Sequence, residues 1–256
     1  MNLPIRLQKV VSMQITAIEF PVSFYGISSK YGNNYFYIEA TQQLIDGGEI
    51  FEESKVVIVP DGNYNASDFI DTINTLISGT NPDGTPLDVN SLFNYIVFRL
   101  DVSQSGSGTA KVYVETTGNL DYTIKEINID FSRDINGNPD KIPVTTKIGM
   151  NLGFLKRKYQ GATSYVSETL VEPATVRYLY LAIDDFNNNV NNHFISAFNN
   201  SILSPNILAR ISVKGSYFSL MMETDLNLTT EPRKYFGPVD IQKMHIQVYD
   251  DHGRIL

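Results

Sequence analysis

Residues 56–77, VVIVPDGNYNASDFIDTINTLI, change character halfway. Val56, Val57, Ile58 and Val59 form a β-branched run of the kind that suits a pleated, half-buried surface. Pro60-Asp61-Gly62 then reads as a turn, because Pro presets φ and Gly accepts positive φ. Beyond it the apolar residues take helical spacing: Phe69, Ile70, Ile73, Leu76 and Ile77 share one face, while Asp71, Asn74, Thr75 and Ser78 occupy the other. The spacing predicts a helix over Ala66–Ile77, capped by Asn65, with Asp68 at the positive end of its dipole and Gly79 as the C′ residue that stops it. A single helix with one apolar face, next to a strand, is expected to lie as a lid on a β core.

On both sides of this stretch the chain reads as strand. Ser12–Pro21, Tyr35–Ala40, Tyr95–Val102, Ala110–Thr116, Tyr122–Phe131, Tyr178–Ile183, Ile207–Lys214, Tyr217–Glu223 and Lys243–Tyr249 are short, rich in β-branched and aromatic residues, and separated by Gly, Pro, Asn and Asp. That alternation predicts a mainly β protein of β-sandwich or jelly-roll-like sheets. A chain of 256 residues suits two packed units, drawn at 1–150 and 151–256, or one continuous domain. A second, shorter helix is expected over Asn192–Asn200, where Phe194, Ile195 and Phe198 are helically spaced.

The chain carries 28 acidic against 20 basic residues, a balance that speaks against binding a phosphate backbone. Its short basic cluster, Lys156-Arg157-Lys158, is read as a solvated turn. With no cysteine, disulfides, thiolate metal sites and cysteine nucleophiles are excluded. Polar residues interrupt the first eighteen positions, and no apolar run reaches the roughly 18 residues of a membrane span. The expectation is a soluble protein of a reducing compartment, in which the sequons at Asn65, Asn199 and Asn227 carry no glycan.

Chemistry finds little foothold. His193, His245 and His252 lack any metal-ligand spacing. Asp184 and Asp185 are adjacent in an extended chain, so their side chains diverge. Asp134-Ile-Asn-Gly-Asn-Pro-Asp140 has the oxygen spacing that opens a calcium loop. However, Pro139 and Thr145 stand where an EF-hand needs Gly and Glu, and Asn136-Gly137 favours a hairpin. Neither phosphate-binding glycine motif nor nucleophile elbow is present. The expectation is a protein with no catalytic residue, cofactor or metal.

Three segments together resemble virion proteins of large nucleocytoplasmic DNA viruses. They are SMQITAIEFPVSFYGISSKYGNNYFYI at 12–38, the 56–77 stretch followed at a distance by Leu152-Gly153-Phe154, and PRKYFGPVDIQKMHIQVYDDHGRIL at 232–256. Related elements, including Leu179-Tyr-Leu-Ala-Ile-Asp184, resemble capsid-associated proteins of smaller double-stranded DNA viruses and viral transposons. The resemblance implies a minor capsid protein of the virion, made in host cytoplasm. Its partners would be the major capsid protein and other capsid components, with a homo-oligomer as a further option, and no site transfers from the family. Arg233, Tyr235, Phe236 and Tyr249 are of types enriched at interface centres and are the candidate contact residues; Tyr235 and Phe236 serve equally well as plugs of a last sheet. The alternatives are a receptor- or glycan-binding virion module and, third, a degenerate virion enzyme built on Asp184, Asp185 and Glu223.

Overall fold

The computed structural model describes residues 1–44, 50–79, 91–102, 108–117, 122–173, 176–187, 190–191, 206–213 and 219–256. In chain order its strands are β1 (Asn2–Met13), β2 (Ile18–Pro21), β3 (Tyr35–Leu44), β4 (Ile50–Ile58), β5 (Ile96–Leu100), β6 (Val112–Thr116), β7 (Tyr122–Asp130), β8 (Lys158–Ala162), β9 (Tyr165–Val166), β10 (Tyr178–Asp184), β11 (Val190–Asn191), β12 (Ile207–Ser212), β13 (Leu220–Glu223), β14 (Arg233–Lys243) and β15 (His245–Tyr249). The helices are α1 (Ala66–Ser78), α2 (Ile148–Asn151) and α3 (Leu226–Thr229). The protein is mainly β, as its alternation and turn residues predict.

Two units divide the chain, and the division differs from a cut after residue 150. Tyr25–Thr175 forms one unit, inserted between the two parts of the other, Met1–Phe24 and Val176–Leu256. The reason is pairing between distant strands. β1 and β2 find their partners in β14 and β13, whereas β8 and β9, past residue 150, pair with β7 and β6.

In the Tyr25–Thr175 unit one sheet has the order β4-β3-β7-β8 and another the order β5-β6-β9, each antiparallel throughout. Side chains of both meet in a single core. Phe36 of β3 approaches Phe98 of β5 with ring centroids 5.8 Å apart, and an aromatic chain runs from Phe131 through Phe154 and Tyr159 to Tyr165. This is a β-sandwich.

α1 packs as a lid on this core. Phe69, Ile70, Ile73 and Ile77 are buried on the face that periodicity selects. The far side of α1 reaches β5 through Asn74, whose side chain accepts from Phe98 N and donates to Phe98 O, both at 2.8 Å, as a neighbouring strand would. Asn65 caps the helix: its Oδ1 accepts from Asp68 N at 2.8 Å, and its Nδ2 donates to Asp68 Oδ2. Asn65→Ala should therefore cost about 1 kcal/mol, measurable by chemical denaturation.

The other end of α1 departs from expectation. Gly79 is right-handed (φ −104°), not the left-handed C′ residue that its identity suggests. The last carbonyls are satisfied from elsewhere, since Lys55 Nζ donates to Leu76 O and Ile77 O at 2.6 and 3.2 Å. A cation at the negative end of the helix dipole does the work of the αL cap.

In the unit of the two chain ends, β10 is the centre of a sheet ordered β12-β10-β15, beside a sheet β1-β14-β11 and the pair β13-β2. Leu179, Leu181, Ile183, Leu208, Ile211 and Met221 form its core. The expected single strand Ser12–Pro21 is broken between Met13 and Ile18. Met13 and Ile15 face the core, then the inward phase moves to Ile18 and Phe20. A strand cannot change faces without a break, and Thr16 O here accepts from Leu226 N of α3. The expected helix over Asn192–Asn200 lies outside the described residues.

Candidate functional site

Of the stretches that carry the family resemblance, 25–38, 56–77 and 152–154 build the fold of the inserted unit. Residues 26–34 and 59–63 clasp each other. Ile27 and Gly62 exchange backbone hydrogen bonds of 3.1 and 2.9 Å. Asn63 Oδ1 accepts from Gly26 N at 2.7 Å, and Asp61 accepts from both the backbone and the hydroxyl of Ser29. Asn33 ties the first loop internally, accepting from Ser28 N and donating to Gly26 O. Asn34 Nδ2 donates to Val59 O. The asparagines and the Pro-Asp-Gly turn thus satisfy buried backbone groups that two crossing loops would leave unpaired.

Leu152-Gly153-Phe154 has the same character. Leu152 and Phe154 are fully buried, and Gly153 has φ +86°. A Cβ there would meet Thr169 O at 2.1 Å. Only glycine fits such a position.

In the unit of the chain ends, the residues singled out for contact separate into two kinds. Arg233 is buried and donates to Ile183 O at 2.7 Å and Asn206 O at 2.9 Å, with Asp185 Oδ2 at 3.8 Å. Tyr235 is buried beside it and donates its hydroxyl to Asp185 Oδ2. Burial first, and then the Asp185 hydrogen bond and charge, push the Tyr235 phenol well above its ordinary pKa. A contact role for Arg233 and Tyr235 is thereby corrected: a buried cation needs an anion and acceptors, and this one finds them inside its own unit. Tyr249 is half-buried and donates to Gln247 Oε1. Phe236, in contrast, is 79% exposed.

Phe236 belongs to a larger surface. β1 and β14 form an antiparallel ribbon that exposes Ile5 at 75%, Val11 at 62% and Leu7 at 48%. Asp240 stitches it together, accepting from Arg6 at 2.7 Å and from Lys9 N at 3.0 Å. β1 is the outer strand of its sheet, but three register shifts interrupt it and Lys9 has φ +55°. Such bulges spoil an edge as a template for a further strand while leaving its side chains on display. At the end of the ribbon, Lys243 lies over the ring of Phe186, which is exposed and left-handed at φ +60°. Phe186 N bonds Asp184 Oδ1, and Asn187 N bonds Asp185 Oδ1. A bulky residue in that region of φ is held by its surroundings.

Sequence reasoning missed the ribbon because its first strand alternates poorly between apolar and polar. The signal that could have found it was Arg6 and Lys9 set among Ile5, Leu7, Val10 and Val11.

The remaining chemical candidates resolve as structure. Asp185 is 5% exposed and engaged with Tyr235 and Arg233. Asp184 bonds its own loop, and Glu223 stands in β13 opposite Ile18. In the 134–140 loop, Asp134 Oδ1 accepts from Asn136 N and Asn138 N. Asp140 pairs with the buried Lys147. The oxygens needed for a cation are spent on a hairpin closed by the Arg133–Pro139 bridge, and among the described residues no group of three acidic or histidine side chains is placed to hold a metal. Calcium or a chelator should leave the melting temperature unchanged; a saturable rise with calcium would reverse this reading. The basic cluster is paired as well: Lys158 lies 3.1 Å from Asp130, and Arg157 reaches the carbonyls of Asp140 and Ile142. Among the described residues no helix is long and apolar enough to cross a membrane.

No protein-family model and no curated protein match the chain. A solved structure, the crystal structure of SeMet-labeled mavirus penton protein, is similar over 98% of this chain and 78% of that one, at 10% sequence identity and a TM-score of 0.40. The functional reading below rests on the residues of this chain.

Proposed function

We propose that the protein is a structural component of a viral capsid, a minor capsid protein that acts through contacts with the major capsid protein and other components of the particle. The observation that carries this reading is the β1–β14 ribbon, where Phe236, Ile5 and Val11 stand more than 60% exposed on a strand pair anchored from beneath by the buried Arg233–Asp185–Tyr235 group. Large apolar side chains left exposed on an anchored strand pair mark a surface made to be covered. The three resembling segments add support, because their residues serve fold and not chemistry. The reading assigns no catalytic step and no cofactor.

Quantitative mass spectrometry of purified particles, from the source whose genome encodes the chain, tests it. The protein should be present at a fixed copy number relative to the major capsid protein and survive washing at high salt. Absence from particles, or a copy number that varies between preparations, would end the proposal.

A further inference from the structure

We infer that the β1–β14 ribbon docks on a second copy of this chain, against the outer end of β4 at Ile50, Phe51 and Glu52. The inference rests on the capsid reading only in treating the ribbon as a contact surface. Charge selects the partner. The ribbon exposes four basic residues, Arg6, Lys9, Lys234 and Lys243, beside the buried Arg233, and holds one acid, Asp240, leaving fifteen basic against twenty-seven acidic residues in the rest of the chain. Asp240 is already engaged by Arg6 and by Lys9 N. Lys9, Lys234 and Lys243 are exposed along it, Lys234 two residues from Phe236 and Lys9 two from Val11. The ribbon is therefore an apolar and basic surface on an acidic protein, and another copy supplies the complement.

β4 offers the matching combination. Among the described residues of the Tyr25–Thr175 unit, only Ile50 and Phe51 are adjacent large apolar side chains that are both more than half exposed, each at 55%, and the exposed Glu52 follows. Neighbouring side chains of a strand point to opposite faces, so exposure of both means that this end of β4 stands clear of the sandwich. β4 is also the outer strand of its sheet, in unbroken register with β3 from Tyr35↔Ile58 to Gln43↔Ile50. The bulged β1 is a poor ladder partner, so the contact runs through side chains: Phe236 and Val11 against Ile50, and lysines against Glu52, which shares the face of Ile50.

The symmetry of the assembly follows. Two ribbons meeting about a two-fold axis would set one basic face against another, which like charges oppose. The contact therefore joins different surfaces of successive copies, closing a ring or extending as a chain, and is not limited to a dimer.

Sedimentation velocity of the full chain tests this at about 0.05 M and about 0.5 M salt. Species larger than a dimer are expected at low salt, weakened at high salt. Phe236→Ser and Ile50→Ser should each weaken association about tenfold or more, with the melting temperature unchanged. Zero-length carbodiimide cross-linking of mixed light and heavy-isotope copies should join Lys9 or Lys234 of one copy to Glu52 of another. A monomer at every concentration and salt, a two-fold dimer cross-linked ribbon to ribbon, or binding to anionic lipid vesicles without self-association would overturn it. A monomeric protein found at fixed copy number in particles would sink this inference and leave the capsid reading standing; a self-associating protein absent from particles would do the reverse.

Discussion

Ile73→Asp is expected to unfold the Tyr25–Thr175 unit. Ile73 is fully buried at the centre of the α1 face, in the same core as Phe36, Phe98 and Phe154. The substitution removes a packed side chain, at about 2–5 kcal/mol for a large-to-small change of this kind, and introduces a carboxylate into an apolar interior. The cluster around it is apolar, so the new charge would have to take up a proton, drag water inward or draw Lys55 from the carbonyls that end α1, and each course is costly. Together these exceed a large part of the roughly 5–15 kcal/mol that holds a domain folded. Ile73→Val is the control, with an expected loss of about 0.5–1.5 kcal/mol. Far-UV circular dichroism and thermal melting compare the two variants. An Ile73→Asp protein that melts like the wild type would mean that α1 is not the lid of the sandwich.

The contrast between the two ends of that helix shows where sequence reasoning reaches and where it stops. The start of α1 was legible because every group that shapes it lies within a few residues: Asn65 caps, Asp68 answers, and Phe69, Ile70 and Ile73 repeat at helical spacing. The stop was misread because the cation that closes it, Lys55, sits in β4, 21 residues before Leu76. The same distance effect governs the unit of the chain ends. Arg233 and Tyr235 look like interface residues by type, and their burial is decided by Asp185, about fifty residues away. Local pattern could place β10, an apolar central strand. It could not show that β1 and β14 belong together, since a strand exposed on both faces has no inward alternation to read. The Pro60-Asp61-Gly62 turn was legible, but the 26–34 loop that it clasps became clear only with both in view.

Tyr235 and Phe236, adjacent in the chain, should respond to substitution in opposite ways. Tyr235→Ser removes a ring that is 8% exposed and takes away the hydroxyl that donates to Asp185. Loss of the aromatic alone costs about 3–5 kcal/mol. Oδ2 of that carboxylate must then rely on Arg233, 3.8 Å away, and a buried acceptor that loses its donor costs about 1–3 kcal/mol more. Phe236→Ser, at a side chain that is 79% exposed, should move stability by no more than about 0.5 kcal/mol. Urea denaturation at neutral pH separates the two outcomes. Tyr235→Phe isolates the hydroxyl and adds a signature in pH. Because the Tyr235 pKa is raised in the folded protein, chiefly by burial and then by Asp185, the unfolded chain ionises first as the solution becomes alkaline. The stability this residue contributes is complete below the ordinary tyrosine pKa of about 10 and is lost as pH rises from there toward the folded value. Wild-type stability should accordingly fall more steeply above about pH 10 than that of Tyr235→Phe. Equal slopes would show that the phenol is not held protonated by its surroundings. A Tyr235→Ser protein as stable as the wild type would show that the Arg233–Asp185–Tyr235 group does not anchor β14, and the ribbon would lose the rigid base on which its role as a contact surface depends.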